Sequence, residues 1–220
     1  MRIKVHPQNP QPAAVERAAE ILRDGGVIVY PTDTIYGLGC DLHDKRAVER
    51  IYRIKRLEPG KPLSIVCADL SHISEYANIS KADYRILKHQ LPGPYTFVLE
   101  ASRQVPRLLT TKQKTIGIRI PNHPFPLALV KALGRPLITT SVTDPRFDVP
   151  AEQKELLNDP EDIESRYGKL VDCVFDAGVL SLEPSTVISL EDGVPILIRK
   201  GIGKVFWEEP EEEPGVTPAG

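Results

Sequence analysis

Thr32, Asp33 and Thr34 open the segment Pro31-Thr32-Asp33-Thr34-Ile35-Tyr36-Gly37-Leu38-Gly39-Cys40, directly after the apolar run Val27-Ile28-Val29-Tyr30. Two hydroxyls and a carboxylate at the end of a buried strand can hold a polar ligand or cap a turn. Pro31 cannot donate to a central ladder and ends the strand. Gly37 and Gly39 let the backbone pass close to another group. The theme recurs along the chain. Lys55, Arg56 and Lys61 precede the apolar run Leu63–Cys67, Arg119 interrupts Thr115–Ile120, and Ser141 and Thr143 follow Pro136–Thr140. Ser185 and Thr186 open another strand after Glu183-Pro184, and Arg199 stands near the end of Pro195–Lys200. Each feature alone has an ordinary explanation: an ion-paired arginine, a positively charged helix C-terminus, a turn cap. Together, cations and hydroxyls with few carboxylates suit an oxygen-rich anion, a nucleotide phosphate or a carboxylate. Such a ligand would lie in the crevice at the strand ends of an open sheet.

Other chemistries find less support. The chain has no GxxxxGK[ST] phosphate loop and no G-x-S-x-G nucleophile turn. His6, His43, His72, His89 and His123 show no metal-ligand spacing, and only His123 falls near a candidate site. Cys40, Cys67 and Cys173 are far apart and embedded in apolar runs. They fit free thiols in a reducing cytoplasm rather than a zinc site. No apolar run approaches the ~20 residues that span a bilayer, and Met1–His6 starts no secretory signal. A cytoplasmic, membrane-free protein is the expectation.

The elements that position these residues alternate in type. Helical spacing runs through Val15, Ala18, Ala19 and Leu22 and stops at Gly25-Gly26. Asp44 is placed to cap a helix through Ala47, Ile51 and Ile54, ending near Lys55-Arg56 before Pro59-Gly60 breaks the chain. On that helix Arg56 would point about 100° away from Lys55. Ser71 and Ser80 each open a helix, and Phe125–Leu133 forms another. Val27–Tyr30, Leu63–Cys67, Tyr95–Glu100, Thr115–Ile120, Pro136–Thr140, Val171–Phe175, Thr186–Leu190 and Pro195–Lys200 read as strands. The mix predicts an α/β (α+β) fold: a single twisted, open, mixed sheet with flanking helices. With 220 residues, 41% of them hydrophobic and 26% charged, the chain has material for one sizeable core. Residues 1–207 are read as one domain. Residues 208–220, with five Glu and no Lys or Arg, read as an acidic disordered tail. Removing those five Glu takes the formal charge from −2 to +3, a mildly basic body.

The series of motifs resembles the YrdC-type family of threonylcarbamoyl-AMP synthases, and more closely its YciO-like branch. The resemblance covers residues 10 to 203. It runs through Pro31–Gly39, Lys55, Lys61-Pro62-Leu63, Pro92-Gly93-Pro94 with Thr96-Phe97-Val98-Leu99, and Ile116-Gly117-Ile118-Arg119-Ile120-Pro121 with His123-Pro124. It closes with Ser141, Ser185-Thr186-Val187 and Ile198-Arg199-Lys200-Gly201. What it implies is a large, basic cavity in which L-threonine, bicarbonate and ATP form threonylcarbamoyl-AMP for tRNA modification, with Mg²⁺ accompanying ATP. By position Thr34, Arg119, Thr139 and Thr186 would hold threonine. Lys55, Lys61, Thr115, Ser141 and Arg199 would lie along the nucleotide, with Lys55 and Ser141 as candidate catalytic residues and no protein-held metal. Arg119→Ala is expected to abolish threonine binding and leave the fold standing. The alternative is a factor that binds double-stranded RNA, tRNA or the ribosome with the same cavity and no turnover. Two positions depart from the synthase pattern of K-x-R followed by S-x-N: Leu57 stands at the second cation and Thr143 at the Asn.

Overall fold

The computed structural model describes residues 1–58, 60–106, 109, 113–145, 154–190 and 194–207. Pro59 and the acidic segment 208–220 lie outside them. The strands are β1 (Arg2–Lys4), β2 (Val27–Tyr30), β3 (Gly37–Asp41), β4 (Ser64–Val66), β5 (Ala77–Asn78), β6 (Tyr95–Ala101), β7 (Thr115–Arg119), β8 (Leu137–Ser141), β9 (Cys173–Asp176), β10 (Thr186–Ser189) and β11 (Ile196–Arg199). The helices are α1 (Pro12–Arg23), α2 (Lys45–Lys55), α3 (Leu70–Tyr76), α4 (Lys81–Gln90), α5 (Pro124–Leu133) and α6 (Pro160–Tyr167). The strands form one mixed sheet in the order β1-β9-β2-β3-β8-β4-β7-β6-β10-β11, with β5 paired to β6. β2, β3, β8 and β4 run antiparallel in sequence, and β7 pairs parallel with β4.

Period-2 alternation explains how this sheet is covered. Val27 and Val29 enter one hydrophobic cluster, whereas Ile28 and Tyr30 enter another. Ile138 and Leu137, Ile65 and Val66, and Val174 and Phe175 divide in the same way. The sheet is therefore apolar on both faces along β9, β2 and the adjoining ends of β8 and β4. Helices α2, α3, α4 and α6 cover the first face; α1 and α5 pack together on the second. Each fully buried Leu, Ile or Phe contributes about 1.5–3 kcal/mol through its removal from water.

Local signals set the helix starts. Asp44 accepts from Ala47 N at 2.8 Å, and Ser80 and Asp83 form a reciprocal capping box. α3 is capped by Asp69, not opened by Ser71: the Asp69 carboxylate accepts from His72 N at 2.9 Å, the amide three residues on. Arg56 does not continue α2. It is the left-handed C-cap, at φ 54° and ψ 45°, so its direction follows from that turn rather than from helical rotation. Of the segment after Tyr30, residues 37–41 form the central strand β3 rather than a loop.

Candidate functional site

On the second face, α1 and α5 leave β8, β4, β7, β6, β10 and β11 to line a cavity of about 490 Å³. The alternation that puts Ile65, Phe97, Leu99, Ile116, Ile118, Ile138 and Ile188 into the first-face core turns Ser64, Thr96, Thr115, Gly117, Arg119, Thr139 and Val187 toward this cavity. The polar groups thus lie on a sheet face, along the strands, and not only at the strand ends. No Asp or Glu is among the described residues that line it.

Arg119, the last residue of β7, holds the floor. One of its terminal nitrogens donates to Asp33 Oδ1 and to Thr34 Oγ1, both at 3.0 Å, while its buried Nε has no hydrogen-bond partner among the described residues. Asp33 Oδ2 accepts from Asn122 N at 2.9 Å, which ties the loop after β2 to the loop after β7. Burial lowers the affinity of Arg119 for its proton, and Asp33 acts in the opposite direction. Arg199 enters from the edge strand β11 and donates to Ser185 O at 2.9 Å. Burial first, and then the charge of Arg119, lower its pKa too. Two guanidiniums therefore share one small cavity with a single neutralising carboxylate, an arrangement that attracts anions.

Beneath the floor, Tyr30 reaches from β2 across β3 and donates to Thr139 Oγ1 at 2.7 Å. Burial pushes its phenol up to about 12, so the group remains a proton donor. The two glycines of β3 make this reach feasible. A Cβ on Gly37 would stand 2.8 Å from Tyr30 Cζ, and one on Gly39 would stand 2.6 Å from Ile138 O and 2.9 Å from the Tyr30 ring. What the glycine-spaced segment approaches is this ring.

Of the residues singled out from sequence, Arg119, Thr115, Thr139, Ser141 and Arg199 line the cavity. Thr34 stands immediately behind, bonded to Arg119. Lys55 lies behind Ser141: its Nζ donates to Ser141 O at 2.7 Å and to Thr143 Oγ1 at 2.6 Å. Burial lowers its ammonium to about 8, with the charge of Lys154 adding to the effect. Two residues are not brought in. Thr186 points away and clasps the later turn, with its hydroxyl donating to Gly203 O at 2.6 Å and accepting from Gly201 N at 3.0 Å. Lys61 is exposed, although its neighbour Pro62 lines the cavity and its own carbonyl accepts from the Tyr52 hydroxyl. Ser64, Thr96, Gln113 and Thr140 line the site and were not singled out from sequence. For Ser64 and Thr96 the signal was available as alternation with Ile65 and Phe97. The Thr96 hydroxyl meets that of Ser185 at 2.8 Å.

Comparison with known proteins agrees with this architecture. A family model named for Sua5, YciO and YrdC, described as "Telomere recombination", matches residues 20–201. The chain is 44% identical over 202 residues to the "Uncharacterized protein YciO" of Escherichia coli K12, covering 91% of this chain and 95% of that one. The crystal structure of E. coli YciO superposes with a TM-score of 0.86, at 42% identity, over 94% of this chain and 98% of that one. A threonylcarbamoyl-AMP synthase of Chromobacterium violaceum is 35% identical over 196 residues, 85% of this chain and 94% of its own. The crystal structure of Pyrococcus abyssi Sua5 complexed with L-threonine has a TM-score of 0.81 at 29% identity, and the match covers 91% of this chain and 57% of that longer one. A single-domain mixed sheet with hydroxyls and arginines facing one cavity, found with these relatives, is the form of one lineage: the chain belongs to the Sua5/YciO/YrdC family.

Proposed function

We propose that this cavity binds L-threonine and an adenine nucleotide and serves threonylcarbamoyl-adenylate chemistry, either its synthesis or an action on the finished adenylate. In the synthetic direction the threonine amino nitrogen takes up the carbon of bicarbonate, with loss of water, to form a carbamate. A carbamate oxygen then forms a bond to the α-phosphorus of ATP as the bond to the pyrophosphate leaving group breaks. The products are threonylcarbamoyl-AMP and pyrophosphate, which links the protein to tRNA modification. Arg119 would pair with the amino-acid carboxylate through the part of its guanidinium that Asp33 and Thr34 leave open. Arg199, Thr115 and Ser141 would lie along the nucleotide, and Lys55 would act from behind Ser141. Water exclusion protects a labile carbamate, and fixed cations offset the charge that grows on the phosphates.

The observation that carries this reading is Arg119 itself: a buried guanidinium, fixed on one side by a carboxylate and a hydroxyl, with an unpartnered Nε in a hydroxyl-lined cavity. The complex of P. abyssi Sua5 with L-threonine supports it. Among the described residues no three His, Cys, Asp or Glu side chains cluster. The hydroxyl and cation donors fit a Mg²⁺ that arrives on ATP phosphates and is held by them and by water.

Isothermal titration with ATP, with and without threonine, tests the proposal, followed by a pyrophosphate-release assay with bicarbonate. Threonine binding that is tightened by nucleotide is the expected result. Binding of double-stranded RNA or tRNA with no affinity for either small molecule would favour the RNA-binding alternative. A cavity of about 490 Å³ is matched to small molecules.

A further inference from the structure

Lys154 is a half-buried residue whose ammonium nitrogen is closed off from solvent and has no hydrogen-bond partner among the described residues. The backbone determines where it lies. Asp144 N donates to Glu155 O at 2.8 Å, Leu157 N donates to Val142 O at 3.1 Å, and Thr143 faces Leu156 in an antiparallel bridge. Alternate residues of such a ribbon share a face, so Lys154 lies on the side of Leu156 and of the Thr143 side chain. On that side Thr143 Oγ1 already accepts from Lys55 Nζ at 2.6 Å.

The two lysines sense each other. After burial, the charge of Lys154 is the cause that lowers Lys55. Burial, and then Arg56, lower Lys154, against an opposing pull from Asp144. Asp144 is itself paired with Arg166. Lys55 donates to a carbonyl and a hydroxyl, neither of which neutralises it. Two ammonium groups on one side of a ribbon, each partly desolvated, are costly without an anion and favourable with one. Leu57, at the position where the synthase pattern has its second cation, instead packs against the main core and offers no charge.

We propose that Lys55 and Lys154 form a two-lysine anion site on the Thr143 side of the 142–144 ribbon, behind the Ser141 end of the cavity, which takes phosphate groups of a nucleoside triphosphate or of pyrophosphate. Lys154 thereby supplies, from the segment after β8, the cation that Leu57 removes from α2 and its C-terminal turn. The assignment of the ligand rests on the nucleotide reading given above. The presence of a two-lysine site for polyphosphate does not.

Titration of inorganic pyrophosphate into the full-length chain, by calorimetry at fixed ionic strength, measures this site without nucleotide chemistry. Lys154→Met is expected to weaken binding about ten- to a hundredfold, the effect of one lost charge-assisted contact. Lys154→Arg should retain most of the affinity. In ligand-free protein Lys154→Met should raise the melting temperature, because it removes a partly desolvated charge that Lys55 and Arg56 repel; a lysine with only a structural role would lower it. If Lys154→Met folds poorly, Lys154→Gln gives the same comparison with a polar neutral side chain. Pyrophosphate binding that is equal with and without Lys154, or absent from the wild type, overturns the site. Lys154-dependent pyrophosphate binding in a chain with no affinity for ATP or threonine upholds the site and removes the nucleotide reading. Parallel titration with ATP then separates the two sources of phosphate.

Discussion

Arg119 and Asp33 form an ion pair whose side chains are each only 9% exposed. This changes the outcome expected for Arg119→Ala. Removing the guanidinium leaves Asp33 buried with the Asn122 amide alone, and breaking a buried pair from one side costs about 3–5 kcal/mol. Arg119→Ala should therefore lose threonine binding and also melt at lower temperature, contrary to the sequence-based expectation of an intact fold. Arg119→Met combined with Asp33→Asn should recover much of the stability while still failing to bind threonine. Equal stability of Arg119→Ala and wild type, by denaturant unfolding, would argue against the pair. Lys55 makes a second residue-scale prediction. Its folded pKa of about 8 lies below its usual value of 10.5, so its charged form is disfavoured by folding. Below pH 8 both states are protonated and the full cost is present. Between about pH 8 and 10.5 the unfolded chain retains a proton that the folded chain has lost. The contribution of Lys55 to stability consequently rises with pH across that window. The difference in unfolding free energy between wild type and Lys55→Met, followed from pH 7 to 10, should show that slope.

At the scale of elements, β3 is the piece that joins the site to its support. It is the central antiparallel partner of β2 and β8, and its glycines admit the Tyr30 ring that reaches Thr139. The two glycines differ in what blocks a side chain. The three nearest atoms to a Cβ at Gly37 all belong to Tyr30, whereas at Gly39 the nearest is the Ile138 carbonyl, which belongs to the β8 backbone. Gly37→Ala and Gly39→Ala should each destabilise by about 1–3 kcal/mol through overpacking. Tyr30→Leu should offset part of the cost of Gly37→Ala but little of that of Gly39→Ala. A double-mutant cycle from urea unfolding distinguishes the two, and equal coupling for both would contradict the model of a side-chain clash at one and a backbone clash at the other.

For the whole molecule, one sheet serves two cores. β2, β4, β8 and β9 send alternate residues to opposite faces, so the two hydrophobic clusters are anchored on the same backbone. Loosening one face should loosen the other. Unfolding followed by far-UV and near-UV circular dichroism should give one coincident transition. Separate midpoints would mean that the first-face cluster and the α1–α5 cluster open independently. Among the described residues no helix is long and apolar enough to cross a membrane.

The sequence alone determined the parts governed by local rules. The VIVY strand, the Asp44 and Ser80 caps, α1 and α5 follow from apolar spacing and side-chain-to-backbone bonding within a few residues. The ordered motifs placed the chain in its family and identified Arg119, Thr115, Thr139, Ser141 and Arg199, all of which line the cavity. What depended on long-range pairing was not legible. β1 is short and exists through its parallel partner β9, and β3 is a glycine-rich strand made stable by neighbours on both sides. Thr186 and Ser185 are adjacent in sequence, yet one clasps a turn and the other faces the cavity, because strand alternation separates neighbours. Lys154 lay in a stretch without a motif, and its place on the Thr143 side of the ribbon arises when the 154–157 segment pairs with residues 142–144. Residue chemistry is written locally, but which charges meet is decided where distant segments share a ladder and lose their water.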